Sequence, residues 1–421
     1  IKEIETNIAY RWFLGYDLTQ PIPHFTTFGK NYVRRFKGTD LFERIFTRIL
    51  EEACHHGLVD PSVLYIDSTH VKANANKRKF IKRLVQEEGK KYQELLEEEI
   101  NQDRVAHGKK PLPKKSKAVW KEVKQSTTDP DSGWFVKNEK EQTFAYSFHA
   151  ASDQNGFVVS AVVTAANVHD SQVFTDVFEQ AVKHVGKPSA VAVDAGYKTP
   201  YICKYLLDQQ IRPVMPYTRP HTKDGRYRKQ DYVYDEYYDC YLCPLGQVLT
   251  YETTTREGYR IYRSDATTCR SCPFRSQCTE SHDAVKRVSR HIWAHYMEEV
   301  EHLRHTEVNK RLYARRKETI ERVFADLKEK HGLRWTTLRG LEKVTMQAML
   351  VFACMNLKKL ANWLWRLGKT GRHALHFGVL FVLRQHENSL GCVGTEGVCL
   401  QSETSRQIGW FFVFAHGSMG A

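Results

Sequence analysis

Two carboxylates expected at strand ends and one on a helix are of the kind a metal-dependent phosphoryl transfer requires. Each stands 127 positions from the next, and spacing alone does not bring them together. Val63-Leu64-Tyr65-Ile66 is a short apolar run of strand-forming residues, and it ends on Asp67. Ala190-Val191-Ala192-Val193 repeats that pattern and ends on Asp194, followed closely by Gly196, which permits a tight turn. Glu321 flanks a helical stripe formed by Ile320, Val323, Phe324 and Leu327. A carboxylate at a buried strand end is costly unless a partner neutralises it, and divalent cations take hard oxygen ligands. Two such ions about 4 Å apart clamp the attacking and leaving oxygens of an in-line displacement. Taken alone, Asp67 is equally well explained as a cap on the turn after its strand. Thr69 and His70 fit ordinary turn residues as well as supporting groups, and His169-Asp170 reads best as a polar loop capping the next helix.

The elements that must deliver these acids alternate between strand and helix. After Asp67, Thr143 to Ala150 alternates, Asp153-Gln154-Asn155-Gly156 signals a hairpin, and Phe157 to Thr164 returns. Ser171 caps a helix to about His184; the Asp194 strand, a helix (Pro200 to Gln209) and a strand (Ile211 to Tyr217) follow. The order is β-β-β-α-β-α-β, with acids ending the first and fourth strands. From about Val308 a very basic helix carries Lys310, Arg311, Arg315, Arg316 and Lys317, with Glu321 and Lys328 beside its apolar face. A long apolar helix, Leu341 to Trp365, reads as core. Ahead of all this, residues 1–59 read as helical. Ile4, Ile8, Tyr10, Trp12 and Phe13 share one face, a turn (Gln20 to Pro23) follows, and Thr26 caps a second helix through Arg35-Phe36. Asp40 and Glu43 form a capping box for a third helix, Leu41 to His56, closed by Gly57. A helix, a turn and a basic helix make a weak DNA-binding signal; two packed helices with a solvated basic face fit equally.

Composition narrows the partner. The chain has 421 residues and a formal net charge of +14, which favours a polyanion, nucleic acid foremost. An anionic membrane surface is allowed by charge alone, but no run of eighteen apolar residues exists to span a bilayer. No secretory signal is visible, although the chain opens on Ile1, and a cytoplasmic setting is expected. Residues 80–125 are dominated by Lys, Arg and Glu, with a helix through about 103 and a Lys/Pro loop (Gly108 to Lys117), and read as a solvated basic insertion spanning about 77–137. Five of the ten cysteines fall in one window. Cys240-x2-Cys243 and Cys269-x2-Cys272 have the spacing of a tetrahedral zinc ribbon, with Cys278 as a spare ligand or bystander. Such a site is structural and points to a reducing compartment. Residues 367–421 lose regular patterning.

The order of elements, together with five segments, resembles the DDE transposases of bacterial insertion sequences. The segments are Asn7 to Gly15, Ile66-Asp67-Ser68-Thr69, Val193-Asp194-Ala195-Gly196-Tyr197, Arg316 to Phe324, and Leu338-Arg339-Gly340-Leu341. The resemblance runs from about residue 1 to 365. It implies an α/β fold: an RNase H-like mixed five-stranded sheet flanked by helices, with an all-α N-terminal region and a Cys-rich insertion. The division it implies is 1–59, a helical, DNA-binding region; 60–219, the first part of the catalytic core; 220–300, the Cys-rich insertion; 301–366, the rest of the core; and 367–421, a tail. Asp67, Asp194 and Glu321 would hold Mg²⁺ or Mn²⁺; Arg316, Lys317 and Lys328 would hold DNA phosphates. The partners would be double-stranded element ends and target DNA, bound by a homodimer on the bacterial nucleoid, with no membrane. The family's Tyr-Arg-Glu-Lys signature maps with departures. Glu321 and Lys328 have its spacing, Lys317 sits where Arg is expected, and Tyr313 and Arg316 are each shifted by one, which leaves Glu318 as runner-up for the third acid. Two other readings share the features: a truncated or decayed DNA-binding product without catalysis, and an RNase H-like nuclease or resolvase.

Overall fold

Five successive helical and strand elements set up the first acid. In the computed structural model, which describes residues 1–86, 92–113, 120–137, 141–218 and 225–367, the order begins α1 (Lys2–Thr6), α2 (Ile8–Phe13), α3 (Thr26–Asn31), α4 (Leu41–His55) and β1 (Val63–Lys72). There follow β2 (Phe80–Gln86), α5 (Gln93–Ala106), β3 (Trp120–Ser126), β4 (Gly133–Val136), β5 (Gln142–Ser152), β6 (Val158–Ala165), α6 (Asp170–Val185) and β7 (Ala190–Ala192). Next come α7 (Pro200–Asp208), β8 (Arg212–Val214), β9 (Val233–Asp235), β10 (Cys240–Leu242), β11 (Val248–Thr254) and β12 (Tyr259–Ser264). The order ends with α8 (Ala266–Arg270), α9 (Arg275–Cys278), β13 (Arg287–His291), α10 (Ala294–Arg304), α11 (Glu307–Ala314), α12 (Ile320–Glu329) and α13 (Leu341–Arg366). None of the described helices is long and apolar enough to cross a membrane. The tail beyond Leu367 and the end of the Lys/Pro loop (114–117) lie outside the described residues.

The chain divides into two compact units. The first takes Ile1–Arg83, Val123–Ala192 and the described residues from Ala314 onward; the second takes Leu84–Glu122 and Val193–Tyr313.

In the first unit β5 is the hub of a mixed sheet. Along one edge it pairs antiparallel with β1, from Tyr65↔Ser152 to Lys72↔Ala145. Its other edge is shared: β4 takes Gln142 to Ala145, and β6 takes Tyr146 to Ser152. On its far side β1 pairs parallel with β7, in the register Val63↔Ala190, Leu64↔Val191 and Tyr65↔Ala192. Neighbours of both parities are buried in β1 (Leu64, Tyr65, Ile66) and in β5 (Phe144 to Ala151), the mark of a sheet covered on both faces. The helix α6 buries Val173, Phe174, Val177, Phe178 and Ala181, and Ser160 on β6 donates to the Val177 carbonyl. The long helix α13 fastens the edge of β6: Asn356 accepts from the Val158 N–H at 2.9 Å and donates to its carbonyl at 2.7 Å. On α4 the buried residues Phe42, Ile45, Phe46, Ile49, Leu50 and Ala53 recur at helical spacing. Its start departs from expectation, because Asp40 makes no side-chain capping bond.

The second unit is built on an antiparallel sheet of order β13-β12-β11-β10-β9. Tyr232, Tyr241, Leu249, Tyr262 and Val288 form its core cluster. The helix α5 belongs to this unit and is not a solvated arm. Leu96 and Ile100 pack with Trp293, Arg104 Nη1 donates to Thr253 Oγ1 and the Thr254 carbonyl, and His107 Nε2 meets Asp239 Oδ2 at 2.6 Å. The expectation of helix from residue 80 fails for the same stretch of chain: Phe80–Gln86 is a strand, paired with β3. Its partner lies about forty positions onward, so the local charge pattern carries no sign of it.

Candidate active site

Continuous burial along β1 lapses at Asp67. Its Oδ2 accepts a hydrogen bond from Arg316 Nη2 at 2.7 Å, and its Oδ1 accepts the Ser68 N–H at 2.8 Å. The two charged side chains are 16% and 6% exposed, so this is a largely desolvated, charge-assisted contact.

Arg316 reaches Asp67 because the expected single helix is broken. α11 stops at Ala314, Arg315–Lys317 form one 3-10 turn, and Thr319 departs from helical dihedrals (φ −107°, ψ −101°) before α12 begins at Ile320. Thr319 is buried and donates from Oγ1 to the Arg315 carbonyl at 2.9 Å. The one-residue offset between Tyr313/Arg316 and the Glu321/Lys328 spacing falls at this break. Arg316, buried in the turn, meets the first acid, whereas Lys317 is exposed.

Beyond the break, Ile320, Val323, Phe324 and Leu327 are buried, while Glu321 is exposed in the first turn of α12. Lys328 lies two turns further along the same stripe and is only partly exposed. Burial lowers the Lys328 pKa and the charges of Arg334 and Lys137 lower it further, while Asp67 opposes them. Lys328 therefore sits within the field of the first acid. Glu318 is exposed, and its charge adds to the rise of the Tyr65 phenol that burial chiefly causes.

The neighbour of Asp67 is held from the other side of the strand. Ser68 donates from Oγ to Asp170 Oδ2 at 2.9 Å. Asp170 is the first residue of α6, which is capped by His169 accepting the Ser171 N–H; Ser171 itself is not the cap. In the β1–β5 register Ser68 faces His149, a fully buried imidazole whose Nε2 lies 3.0 Å from Thr164 Oγ1. Asp170 stands 3.8 Å from His149 Nδ1 and would favour a charged ring. Burial wins, with the nearby His70 adding to it, and the pKa falls to about 4. His70 is likewise pushed down to about 4, by burial first and Lys328 second, and stacks on Phe135 with ring centroids 3.7 Å apart. Sequence reasoning did not find His149; its only signal was a polar residue inside an apolar strand.

Asp194 belongs to the second unit. Its Oδ1 accepts the Gly196 N–H at 3.0 Å and caps the 3-10 turn Ala195–Tyr197. Nearby, Lys198 Nζ bonds Glu301 Oε2 at 2.9 Å. In sequence Asp194 stands two residues past Ala192, and Asp67 stands two residues past Tyr65, the residue registered with Ala192.

As oxygen donors these carboxylates suit a hard divalent cation in kind. Among the described residues, however, no three His, Cys, Asp or Glu side chains are grouped to hold one ion. The expected thiol set is not gathered either. Tyr241 on β10 faces the core cluster, and so does Cys243, together with Cys278. Side chains alternate along a strand, so Cys240 is turned to the opposite face from Tyr241. Cys278 Sγ lies 3.0 Å from the Tyr232 hydroxyl, and Cys269 Sγ lies 3.3 Å from Ser264 Oγ. Among the described residues, which include Cys240, Cys243, Cys269 and Cys272, no three of these thiols are grouped to hold one ion.

Two stretches of the chain match transposase families. Residues 242–361 match the model described as a transposase DDE domain, and residues 1–34 match the transposase domain DUF772. No curated protein and no solved structure matches the chain. The first match takes in Arg316, Glu318, Glu321 and Lys328 but stops short of Asp67 and Asp194. A DDE domain suggests phosphoryl transfer with divalent metal ions, and transposase domains imply DNA binding and DNA transposition.

Proposed function

We propose that this chain is a DDE transposase of a bacterial insertion sequence, cutting DNA at the element's ends and joining the freed 3′-hydroxyl to target DNA. The observation that carries the reading is the contact between Arg316 and Asp67, residues 249 positions apart. It brings a phosphate-seeking cation from within the DDE-domain match to an acid outside it. The β1–β5–β6 meander followed by α6 and a parallel β7 supports an RNase H-like core, with helices α1–α4 as the DNA-binding region.

Asp67, Asp194 and Glu321 are the residues we assign to Mg²⁺ or Mn²⁺, with Glu318 as the alternative third acid. When bound, the metal supplies an activated water and neutralises charge on the reacting phosphate. Arg316 orients Asp67 in the free protein and, with Lys328, offers donors to phosphate oxygens; Lys317, being exposed, is placed to hold backbone phosphate further out. A desolvated cation beside the reacting group stabilises developing negative charge more than one in open water does. A homodimer follows from the need to hold two element ends together. Action in the cytoplasm, on the nucleoid, follows from the DNA substrate.

The alternative is a truncated or decayed DNA-binding product without catalysis. One experiment separates the two. With Mn²⁺ and DNA carrying the cognate terminal repeats, the unchanged chain should nick the ends, and Asp67→Ala should lower the rate at least about 100-fold. Equal rates would remove Asp67 from the site; nicking by neither protein would favour the non-catalytic reading.

A further inference from the structure

Between α12 and α13 the chain crosses the end of β1 as a short strap. Lys72 donates its N–H to the Arg334 carbonyl at 3.1 Å, and Thr336 donates its N–H to the Lys72 carbonyl at 2.9 Å. The residue between them, Trp335, forms a parallel bridge with Lys72. The strap is anchored on both sides. Leu333 is buried and donates its N–H to the Leu327 carbonyl, and Thr336 is buried with Oγ1 bonded to Gln347 on α13 at 2.7 Å. Asn74 Nδ2 donates to the Thr337 carbonyl at 2.7 Å, and Arg339 Nε to the Asn74 carbonyl at 3.0 Å. Yet Trp335 is 59% exposed. Single exposed apolar residues are common, but this one is an indole carried on a backbone fastened at both flanks. It has no ring partner among the described residues.

The surroundings say what could cover it. Lys72 and Arg334 flank Trp335 and are exposed. Arg334 is paired with Glu329 and Lys137 with Glu141 at the surface, contacts that phosphate oxygens would have to replace. After burial, these two cations lower the Lys328 pKa, while Asp67 and Glu141 oppose them. Lys72 lies five residues beyond Asp67 on β1, about 17 Å at strand rise, or roughly five steps of a DNA strand at 3.4 Å each. A flat aromatic surface amid cations, at this spacing from an acid, has the chemistry of a platform for bases of unpaired nucleic acid.

We propose that Trp335 stacks on a nucleobase in a single-stranded part of the DNA, with Lys72 and Arg334 holding the adjoining phosphates. The inference deepens the reading of the chain as a DNA-cutting enzyme and rests on it for the choice of DNA, but its test needs no cleavage. Fluorescence anisotropy in EDTA compares labelled blunt duplex with the same duplex bearing a 3′ tail of about five nucleotides. The unchanged chain should bind the tailed DNA about 5- to 100-fold more tightly. Trp335→Ala should bring that affinity down to that of blunt duplex while leaving blunt binding unchanged, and Trp335→Phe should restore most of the preference. Equal binding of both DNAs by the unchanged chain would overturn the proposal. So would an equal loss on both DNAs in Trp335→Ala with a lowered melting temperature, which would mark a structural role. Because metal is absent, failure of Asp67-dependent nicking would be recorded separately and would leave this result standing.

Discussion

Arg316 donates from Nη2 to Asp67 Oδ2 at 2.7 Å, with both side chains largely withdrawn from water. Removing one partner of such a pair leaves the other charge poorly solvated, at a cost of roughly 3 kcal/mol. Arg316→Gln should therefore lower stability by about that much in chemical denaturation. If Asp67 is a metal ligand, Mn²⁺ should recover part of the deficit, because an ion bound only by the folded state stabilises it. The gain on adding Mn²⁺ should then be larger in Arg316→Gln than in the unchanged chain. An Mn²⁺-independent deficit would show that Arg316 serves Asp67 structurally and that the carboxylate binds no metal.

Glu321 and Glu318 are both exposed, so their substitution tests chemistry with little disturbance of the fold. Glu321 shares a helical stripe with Lys328, which senses Asp67, whereas Glu318 follows the 3-10 turn and adds to the rise of the Tyr65 phenol. Glu321→Gln should abolish Mn²⁺-dependent nicking, by about 100-fold or more, while Glu318→Gln should retain most of the rate. Melting curves of both variants should overlay that of the unchanged chain. The reverse ranking would move the third acid to Glu318.

What was legible in the sequence follows from how each part is buried. The first half of β1, together with β6 and β7, reads as a nearly unbroken apolar run, β5 reads as alternating although both its faces are covered, and the Asp153–Gly156 turn marks the hairpin. Both acids stand out against those runs, but only Asp194 lies just past the end of its strand; Asp67, expected at a strand end, lies mid-strand, because pairing with β5 carries β1 on to Lys72. β2 and β3 are amphiphilic and depend on each other across an intervening helix, so their composition resembles a charged helix. The break before α12 was hidden because Arg315 to Thr319 has helix-compatible residues; only tertiary burial of Arg316 and Thr319 shows why the helix gives way. Spacing in the Cys240-x2-Cys243 pair suggested a shared ligand role, but Cys243 packs against the aromatic core cluster and no three ligating side chains are grouped among the described residues. The Ser68–Asp170 bond and the Trp335 strap join residues far apart in sequence, and no local pattern could announce them.

His149 provides a pH test of the face behind Asp67. Its imidazole is fully buried and its pKa is lowered to about 4 from an ordinary value of 6.5. A base whose folded pKa is depressed binds fewer protons folded than unfolded, so its contribution is present above about pH 6.5 and is lost as pH falls toward 4. At pH 4.5 the loss amounts to about 2.5 kcal/mol. His149→Gln keeps a hydrogen-bonding group beside Thr164 but cannot titrate. Urea unfolding at pH 7.5 and 4.5 should show the unchanged chain losing about 2.5 kcal/mol more than the variant across this interval. His70, also lowered to about 4, titrates in both proteins and largely cancels from the comparison. Parallel losses would mean that His149 is charged in the folded protein and paired with Asp170. The Ser68–Asp170 bond would then share its acceptor with an imidazolium, and the backbone beside Asp67 would be anchored by an ion pair, not by a neutral buried network.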